Sequence, residues 1–183
     1  ADGTLVRQVV AHDGPVSGVA FNAQGTQMLT AGGDGLLKVW SLPAAPTRIL
    51  THPDAVASAA VSAYGKHVFT AGADKIVRSW DPAKPQQPER QFPGSPTPVG
   101  AVAVSPNGQL LASAGADGII RFWNQANGQP AETIGAHDGA VTSLAFNPNS
   151  TQLVSAGADG GVRVWQVPAA APKLFAHPDK VTA

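Results

Sequence analysis

The chain has 183 residues, of which 43% are hydrophobic, and its 12 basic and 12 acidic residues give a formal net charge of zero. A neutral chain gives no electrostatic reason to expect nucleic acid or an anionic membrane as a partner, and the absence of cysteine excludes disulfides, a thiolate nucleophile and a cysteine–zinc site. No apolar run of about 20 residues and no charged-then-apolar leader stands in the sequence, so we expect a soluble protein in a compartment that the sequence leaves open, with a lean towards the cytoplasm.

Short runs rich in β-branched and aromatic residues follow one another along the chain, separated by Gly, Asn, Pro and Asp. The first four predicted strands are Pro15–Asn22, Gln27–Gly32, Leu36–Ser41 and Thr47–Leu50. No stretch keeps the 3.6-residue apolar period of a helix. Strand interiors such as Val19–Phe21 are apolar on successive residues, which predicts sheets covered on both faces. The sequence therefore predicts an all-β fold of antiparallel four-stranded meanders.

One eleven-residue phrase, "SAGADGIIRFW" in its third copy, occurs four times and ends each time at a tryptophan. The tryptophans are 40, 43 and 42 residues apart, which indicates a repeat architecture. An aspartate stands six residues before each tryptophan, a hydroxyl ten before and, in three units, a histidine twenty-eight before. The recurring side chains are His12, Thr30, Asp34 and Trp40; His52, Thr70, Asp74 and Trp80; Ser113, Asp117 and Trp123, with Ser95 in the histidine position; and His137, Ser155, Asp159 and Trp165.

This pattern resembles the WD-repeat β-propeller family, and the resemblance covers essentially the whole chain. The family carries histidine before its first strand, Ser or Thr in the second, Asp in the next turn and Trp in the third. The Trp-Asp dipeptide that names the family occurs only at Trp80-Asp81. The resemblance implies a single propeller segment over residues 1–183, with repeats at 9–50, 51–93, 94–135 and 136–176 and the start of a fifth at 177–183.

A tryptophan, a hydroxyl, a histidine and an aspartate can form a hydrogen-bonded chain, because the indole only donates and the carboxylate only accepts. The resemblance implies this network in each blade. Histidine, aspartate and serine are also the ingredients of a catalytic triad, but an enzyme needs one such site and this chain repeats the set. We therefore expect structural side chains, with no catalytic, cofactor or metal site. Ser95 replaces the third histidine, and we expect that blade to be held less firmly.

Four blades supply about half of a propeller ring. We expect two chains, as a homodimer, to close an eight-bladed ring. Asp2–Val10 reads as a fourth strand without its own blade, whereas Pro172–His177 already completes the fourth blade, so the two segments would compete for one edge. The alternative is that the chain is a fragment, or an engineered half, of a longer propeller whose binding face lies in other blades.

The resemblance implies a non-enzymatic scaffold for interactions with a second copy and with other proteins or peptides. The face that such propellers use for binding carries small side chains here, and Trp, Tyr and Arg anchors are absent from it. The residues before the turn aspartates are Gly33, Ala73, Ala116 and Ala158. A ligand-binding or catalytic propeller is a further alternative, which the lack of acids, bases and histidines in the first strands of the units disfavours.

Overall fold

The computed structural model describes residues 10–22, 24–42 and 48–167, which form 15 β-strands and, within those ranges, no helix. Consecutive strands pair antiparallel into four sheets, here called blades 1 to 4. Blades 1 to 3 have four strands each, and three strands of blade 4 lie in the described ranges. The strands are β1 Val16–Phe21, β2 Gln27–Gly32, β3 Leu36–Ser41 and β4 Arg48–Thr51; β5 Val56–Val61, β6 Val68–Gly72, β7 Val77–Trp80 and β8 Arg90–Phe92; β9 Val99–Val104, β10 Leu110–Gly115, β11 Ile119–Asn124 and β12 Pro130–Gly135; and β13 Val141–Phe146, β14 Gln152–Gly157 and β15 Val162–Gln166.

The predicted all-β architecture of antiparallel blades is confirmed. The fourth strand predicted for the last blade, Pro172–His177, lies outside the described residues. The same holds for the N-terminal segment Asp2–Val10 except for Val10 itself, which is exposed and not in a strand.

The turn between the second and third strands of each blade is organised by the repeated aspartate. In blade 1, Asp34 Oδ1 accepts the backbone N–H of Leu36 over 3.1 Å. The residue between them, Gly35, has a φ of 74°, which glycine adopts without steric cost. Blade 2 places Lys75 at this position with a φ of 68°, so its turn carries a backbone strain that the other turns avoid.

Each blade has two faces, because successive side chains of a strand point in opposite directions. We call the face towards the next blade the leading face and the face towards the preceding blade the trailing face. Three apolar cores form where the leading face of one blade meets the trailing face of the next. Their main buried members are Leu29, Leu37, Leu50, Val56 and Trp80 between blades 1 and 2; Phe69, Phe92, Val99, Leu111 and Trp123 between blades 2 and 3; and Leu110, Ile120, Phe122, Val141 and Leu153 between blades 3 and 4.

The first strands of the blades, β1, β5, β9 and β13, contact one another in succession. They are therefore the innermost strands of a curved stack, and the fourth strands lie at its periphery. The loops at either end of the first and second strands consequently lie at the two ends of the central axis. Blades 1 and 4 are the first and last blades of the stack.

Candidate functional site: polar side chains of the blades and the two end faces

Blade 1 contains a continuous chain of four polar side chains. The Trp40 indole N–H donates to Thr30 Oγ1 over 3.0 Å, and Thr30 Oγ1 lies 2.9 Å from His12 Nε2. His12 Nδ1 lies 2.9 Å from Asp34 Oδ1. Because the indole only donates and the carboxylate only accepts, this network assigns the histidine proton to Nδ1 and has the threonine hydroxyl donate to Nε2. The chain ties β3 to β2, and the loop before β1 to the turn after β2.

Blade 4 repeats the arrangement. Ser155 Oγ accepts the Trp165 indole N–H over 2.8 Å and lies 2.8 Å from His137 Nε2, while His137 Nδ1 lies 2.8 Å from Asp159 Oδ1. The residue Ser155 has no exposed surface, and Thr30 in blade 1 is only 3% exposed. Both hydroxyls are thus bonded on two sides and closed to a substrate.

Blade 2 arranges its histidine differently. His52 Nδ1 donates to the backbone oxygen of Asp54 over 2.9 Å, and His52 Nε2 accepts from Arg78 Nη1 over 3.1 Å. Arg78 Nη1 also donates to Asp74 Oδ2. An arginine therefore stands between His52 and Asp74, where the sequence predicted a direct contact. Burial is the main cause that lowers the pKa of His52 below its usual value, and the Arg78 charge acts in the same direction.

Blade 3 uses the same arginine position without a histidine. Ser95 Oγ donates to the backbone oxygen of Thr97 over 2.6 Å and does not replace the missing imidazole. Arg121 Nη2 donates to Asp117 Oδ2 over 2.7 Å. Burial would raise the pKa of Asp117, but the hydrogen bonds from Arg121 and the Ile119 N–H, together with the charge of Arg121, keep the pKa below its usual value. Asp117 thus has a charged neighbour, and the weaker third blade stays a prediction.

The indole–hydroxyl bond is common to all four blades. In blades 2 and 3 it joins Trp80 to Thr70 over 2.9 Å and Trp123 to Ser113 over 3.0 Å. The tryptophan and the hydroxyl therefore have one role in every repeat, and the blades differ only in what approaches the aspartate.

The residue after the histidine position differs between the outer and the inner blades. In blade 1 it is Asp13, whose backbone N–H donates to Asp34 Oδ2 over 3.2 Å, and Asp138 makes the matching bond in blade 4. In blades 2 and 3 it is Pro53 or Pro96, and proline has no N–H to donate. The turn carboxylates of those two blades lack this backbone donor and are bonded by an arginine, whereas Asp159 of blade 4 has both the backbone N–H and Arg163.

The carboxylates of the outer blades are held ionised by these donors. The backbone N–H of Gly161 and the ring of His137 lower the pKa of Asp159 to about 2. Burial would raise the pKa of Asp34, but hydrogen bonds led by that of the Leu36 N–H keep it below its usual value.

A basic residue stands two positions before every tryptophan. Lys38 Nζ donates to the backbone oxygen of Ala11, and Arg163 Nη1 donates to that of Ala136. Arg78 and Arg121 bind the turn aspartates, as described above. Arg163 also pairs with its turn aspartate, because Arg163 Nη2 lies 3.1 Å from Asp159 Oδ2, so all three blades that carry arginine at this position have the ion pair.

The trailing face of blade 1 is apolar and exposed. Val19 and Phe21 of β1 are 59% and 58% exposed, and Met28 and Trp40 beside them are half-buried. In blade 3 the residue that matches Val19 is Val102, which is only 6% exposed because blade 2 covers it. The trailing face of blade 1 thus has the composition of a covered blade face.

The leading face of blade 4 is apolar and exposed as well. Val162 and Val164 of β15 are 71% and 61% exposed. Their matches in blade 3, Ile120 and Phe122, are 0% and 1% exposed beneath blade 4. We call the trailing face of blade 1 and the leading face of blade 4 the two end faces.

One end of the central axis carries a shallow apolar depression of about 290 Å³. It includes two of the small residues that the sequence analysis placed on the expected binding face, Ala73 and Ala116. Its rim has no Trp, Tyr or Arg of the kind that anchors a tightly bound protein. The depression is lined by Ala55, Val56, Ala57, Gly72, Ala73, Pro98, Val99, Gly100, Gly115, Ala116, Ala140 and Val141.

Within the described ranges, no three His, Cys, Asp or Glu side chains come together in a way that could hold a metal ion. The four histidine-position loops belong to separate blades, and their side chains do not converge. The same part of the chain has no helix with the length and apolarity needed to cross a bilayer.

The sequence profile of the family "WD domain, G-beta repeat" matches residues 3–41, 45–81, 86–124 and 128–166. These matches cover most of the sequence, and the chain belongs to this family. WD-repeat propellers generally serve as non-enzymatic scaffolds that bind other proteins.

Among solved structures, the chain is similar to one titled "Structure of U3-55K", with a TM-score of 0.78 and 23% sequence identity. The match covers 88% of this chain and 51% of that one, so the chain spans about half the length of the solved relative. At this identity the likeness shows the propeller fold. No curated protein matches the sequence.

Proposed function

We propose that this chain is a non-enzymatic propeller scaffold and that two copies associate to close an eight-bladed ring of four blades each. The observation that carries the proposal is the pair of end faces. Both are apolar, both are exposed, and each resembles a face that is buried inside the stack. Contiguous exposed apolar surface on a soluble domain marks an interaction site.

The two end faces are complementary in kind. A trailing face always packs against a leading face in the three internal boundaries, and the stack exposes one of each. A trailing face of one copy can therefore meet the leading face of another. Two such contacts related by a two-fold axis close a ring and leave no end face exposed.

The apolar gain supports a dimer that depends on concentration. Fully burying a Val or Phe side chain contributes roughly 1.5–3 kcal/mol. Val19, Phe21, Val162 and Val164 are each more than half exposed, so covering them contributes about 4 kcal/mol at one boundary and about 8 kcal/mol in a ring with two. Association costs roughly 4–15 kcal/mol in lost freedom.

We further propose that the recurring His, Ser/Thr, Asp and Trp side chains are structural. Their support is geometric: the indole–hydroxyl bond joins the second and third strands in all four blades. The hydroxyl of Ser155 is buried and bonded on both sides, whereas a nucleophile must reach a substrate. Buried and satisfied polar chains of this type rigidify a fold.

The test of self-association is the mass in solution over a range of concentrations, by light scattering after size exclusion. The proposal expects twice the chain mass of 18.6 kDa. Val19→Glu would place an unpaired charge in the boundary and raise the dissociation constant roughly 100-fold. The matched control is Tyr64→Glu, because Tyr64 is 84% exposed on a turn away from both end faces. A monomer at every concentration, or equal effects of the two variants, would refute self-association.

A second candidate is that the chain is part of a longer propeller whose other blades cover the end faces. The observation that favours it is the structural match to about half of the solved chain described above. This candidate expects a monomer that binds hydrophobic dyes at its end faces and has no defined dimer mass. The same scattering experiment separates the two.

A further inference from the structure

Each innermost strand begins with a β-bulge. The register between the first and second strands shifts after Val16, Val56, Val99 and Val141. The residue that follows each of these valines, the bulged residue, is therefore not paired with a residue of the second strand. A bulge re-aims the residues beside it. Here it directs the bulged residue and the one after it towards the next blade.

The three internal boundaries use these two residues in one register. Between blades 1 and 2, Ser17 Oγ donates to the backbone oxygen of Val56. Between blades 2 and 3, Ser58 Oγ accepts the backbone N–H of Val102 over 3.1 Å. These two bonds lie at adjacent positions of the same alignment, since Ser17 is the bulged residue of its strand and Ser58 is the residue after the bulge.

The glycines at these positions agree with that register. A Cβ at Gly18, the match of Ser58, would lie 3.9 Å from the backbone nitrogen of Ala59. A Cβ at Gly100, the match of Ser17, would lie 3.6 Å from the backbone oxygen of Val141. The bulged residue therefore lies beside the first valine of the next blade at the boundaries between blades 1 and 2 and between blades 3 and 4. The following residue lies beside the third position after that valine at the boundaries between blades 1 and 2 and between blades 2 and 3.

Blade 4 carries hydroxyls at both positions. Thr142 is its bulged residue and Ser143 follows, and both are exposed. Thr142 Oγ1 donates to the backbone oxygen of Ala156 over 3.2 Å, as Ser17 Oγ does to Ala31 over the same distance. Blade 4 is thus the one blade of the four with a polar side chain at both positions.

We propose that these two hydroxyls fix the register of the boundary between two copies, an inference that rests on the self-association proposed above. Thr142 Oγ1 donates to the backbone oxygen of Val16 in the second copy. Ser143 Oγ accepts the backbone N–H of Val19 in the second copy. The leading face of blade 4 in one copy thus packs against the trailing face of blade 1 in the other copy, with the same alignment as at the internal boundaries.

The register can be trapped with disulfides, because the chain contains no cysteine. Chains with Ser143→Cys and chains with Val19→Cys are mixed and oxidised, and we expect a covalent dimer from the mixture but not from either variant alone. Phe21→Cys is the register control, since it lies two residues further along β1, about 7 Å away. A disulfide requires Cα atoms roughly 4.4–6.8 Å apart, so Phe21→Cys with Ser143→Cys should give no covalent dimer. The positive control is a single chain with Ser58→Cys and Val102→Cys, because these two residues are in contact at the boundary between blades 2 and 3.

The hydroxyls themselves are tested by the dimer dissociation constant. Thr142→Val with Ser143→Ala removes two hydrogen bonds at each of the two boundaries and should weaken the dimer at least roughly 30-fold, as expected for four lost hydrogen bonds of about 0.5 kcal/mol each. Thr133→Val, on the exposed outer strand β12, is the matched control and should leave the constant unchanged.

The outcomes separate the two proposals. A doubled mass with cross-linking at position 19 and not at 21 supports both. A doubled mass without the 143–19 cross-link, while the 58–102 control forms, overturns the register and leaves self-association standing. A doubled mass whose dissociation constant is the same in the Thr142–Ser143 variant overturns the role of the hydroxyls. A wild-type monomer at all concentrations overturns the proposed function and the register with it.

Discussion

The outer blades 1 and 4 and the inner blades 2 and 3 share one repeated phrase but hold its aspartate in two ways. In the outer blades a histidine and a backbone N–H approach Asp34 or Asp159, and in blade 4 Arg163 Nη2 also lies 3.1 Å from Asp159 Oδ2. In the inner blades a guanidinium approaches Asp74 or Asp117, and the histidine contact of the outer blades is missing. A proline after the histidine position also removes the backbone N–H donor from the inner blades. A repeat can therefore keep its strands and its tryptophan while it exchanges the chemistry of a single turn.

The largest expected difference between the two kinds of blade is the effect of neutralising the aspartate. Asp74→Asn leaves the Arg78 guanidinium, whose side chain is only 7% exposed, without a counter-charge. We expect it to lower the free energy of unfolding by about 3 kcal/mol. Asp34→Asn keeps an oxygen for the Leu36 N–H and for His12 Nδ1, and should cost about 1 kcal/mol. Urea unfolding followed by circular dichroism measures both free energies. Equal losses would show that the buried arginine does not make its blade more sensitive to the loss of the carboxylate charge.

The effect of the proline on the turn aspartate can be tested by introducing a proline into blade 1. Asp13→Pro removes the backbone N–H that donates to Asp34, whereas Asp13→Ala keeps it. We expect the proline variant to be about 1 kcal/mol less stable than the alanine variant, the typical contribution of one hydrogen bond. The same urea experiment measures the pair, with alanine as the control for the lost side chain. Identical stabilities would mean that the proline is not the cause of the difference between blades.

The free energy of unfolding should also depend on pH through His52 of blade 2. Burial lowers the pKa of His52 in the folded protein, so the unfolded chain binds the proton more readily. The histidine therefore contributes stability above its unfolded pKa of about 6.5, and this contribution is lost as the pH falls towards the lower folded value. His52→Ser, which copies the residue at the matching position of blade 3, should flatten the dependence of unfolding free energy on pH between 7 and 5.5. An unchanged slope would contradict a neutral His52.

Much of this molecule could be predicted from its sequence, because strand positions, blade number and the indole–hydroxyl pairs all follow from spacing. The ion pairs of Asp74 and Asp117 were not predicted, although each arginine stands in the repeated phrase four residues after its aspartate. Pro53 and Pro96 indicate only that the backbone donor of the outer blades is missing there. The bulge at Thr142 was not predicted, because apolar residues on successive positions from Leu144 to Phe146 hide the break in alternation that a one-residue register shift produces.

The smallest expected effect concerns the turn after the aspartate, where blade 2 has Lys75 with a φ of 68° and blade 4 has Gly160 with a φ of 76°. Lys75→Gly should raise the unfolding free energy by about 0.5 kcal/mol, because relief of the left-handed strain exceeds the added entropy of the unfolded glycine. Gly160→Lys is the reverse control: a Cβ there would meet nothing within 4 Å, so only the backbone preference changes. Thermal unfolding of the two variants should shift in opposite directions by similar amounts. If both shift the same way, side-chain contacts of Lys75 and not its backbone angle determine the stability of the turn.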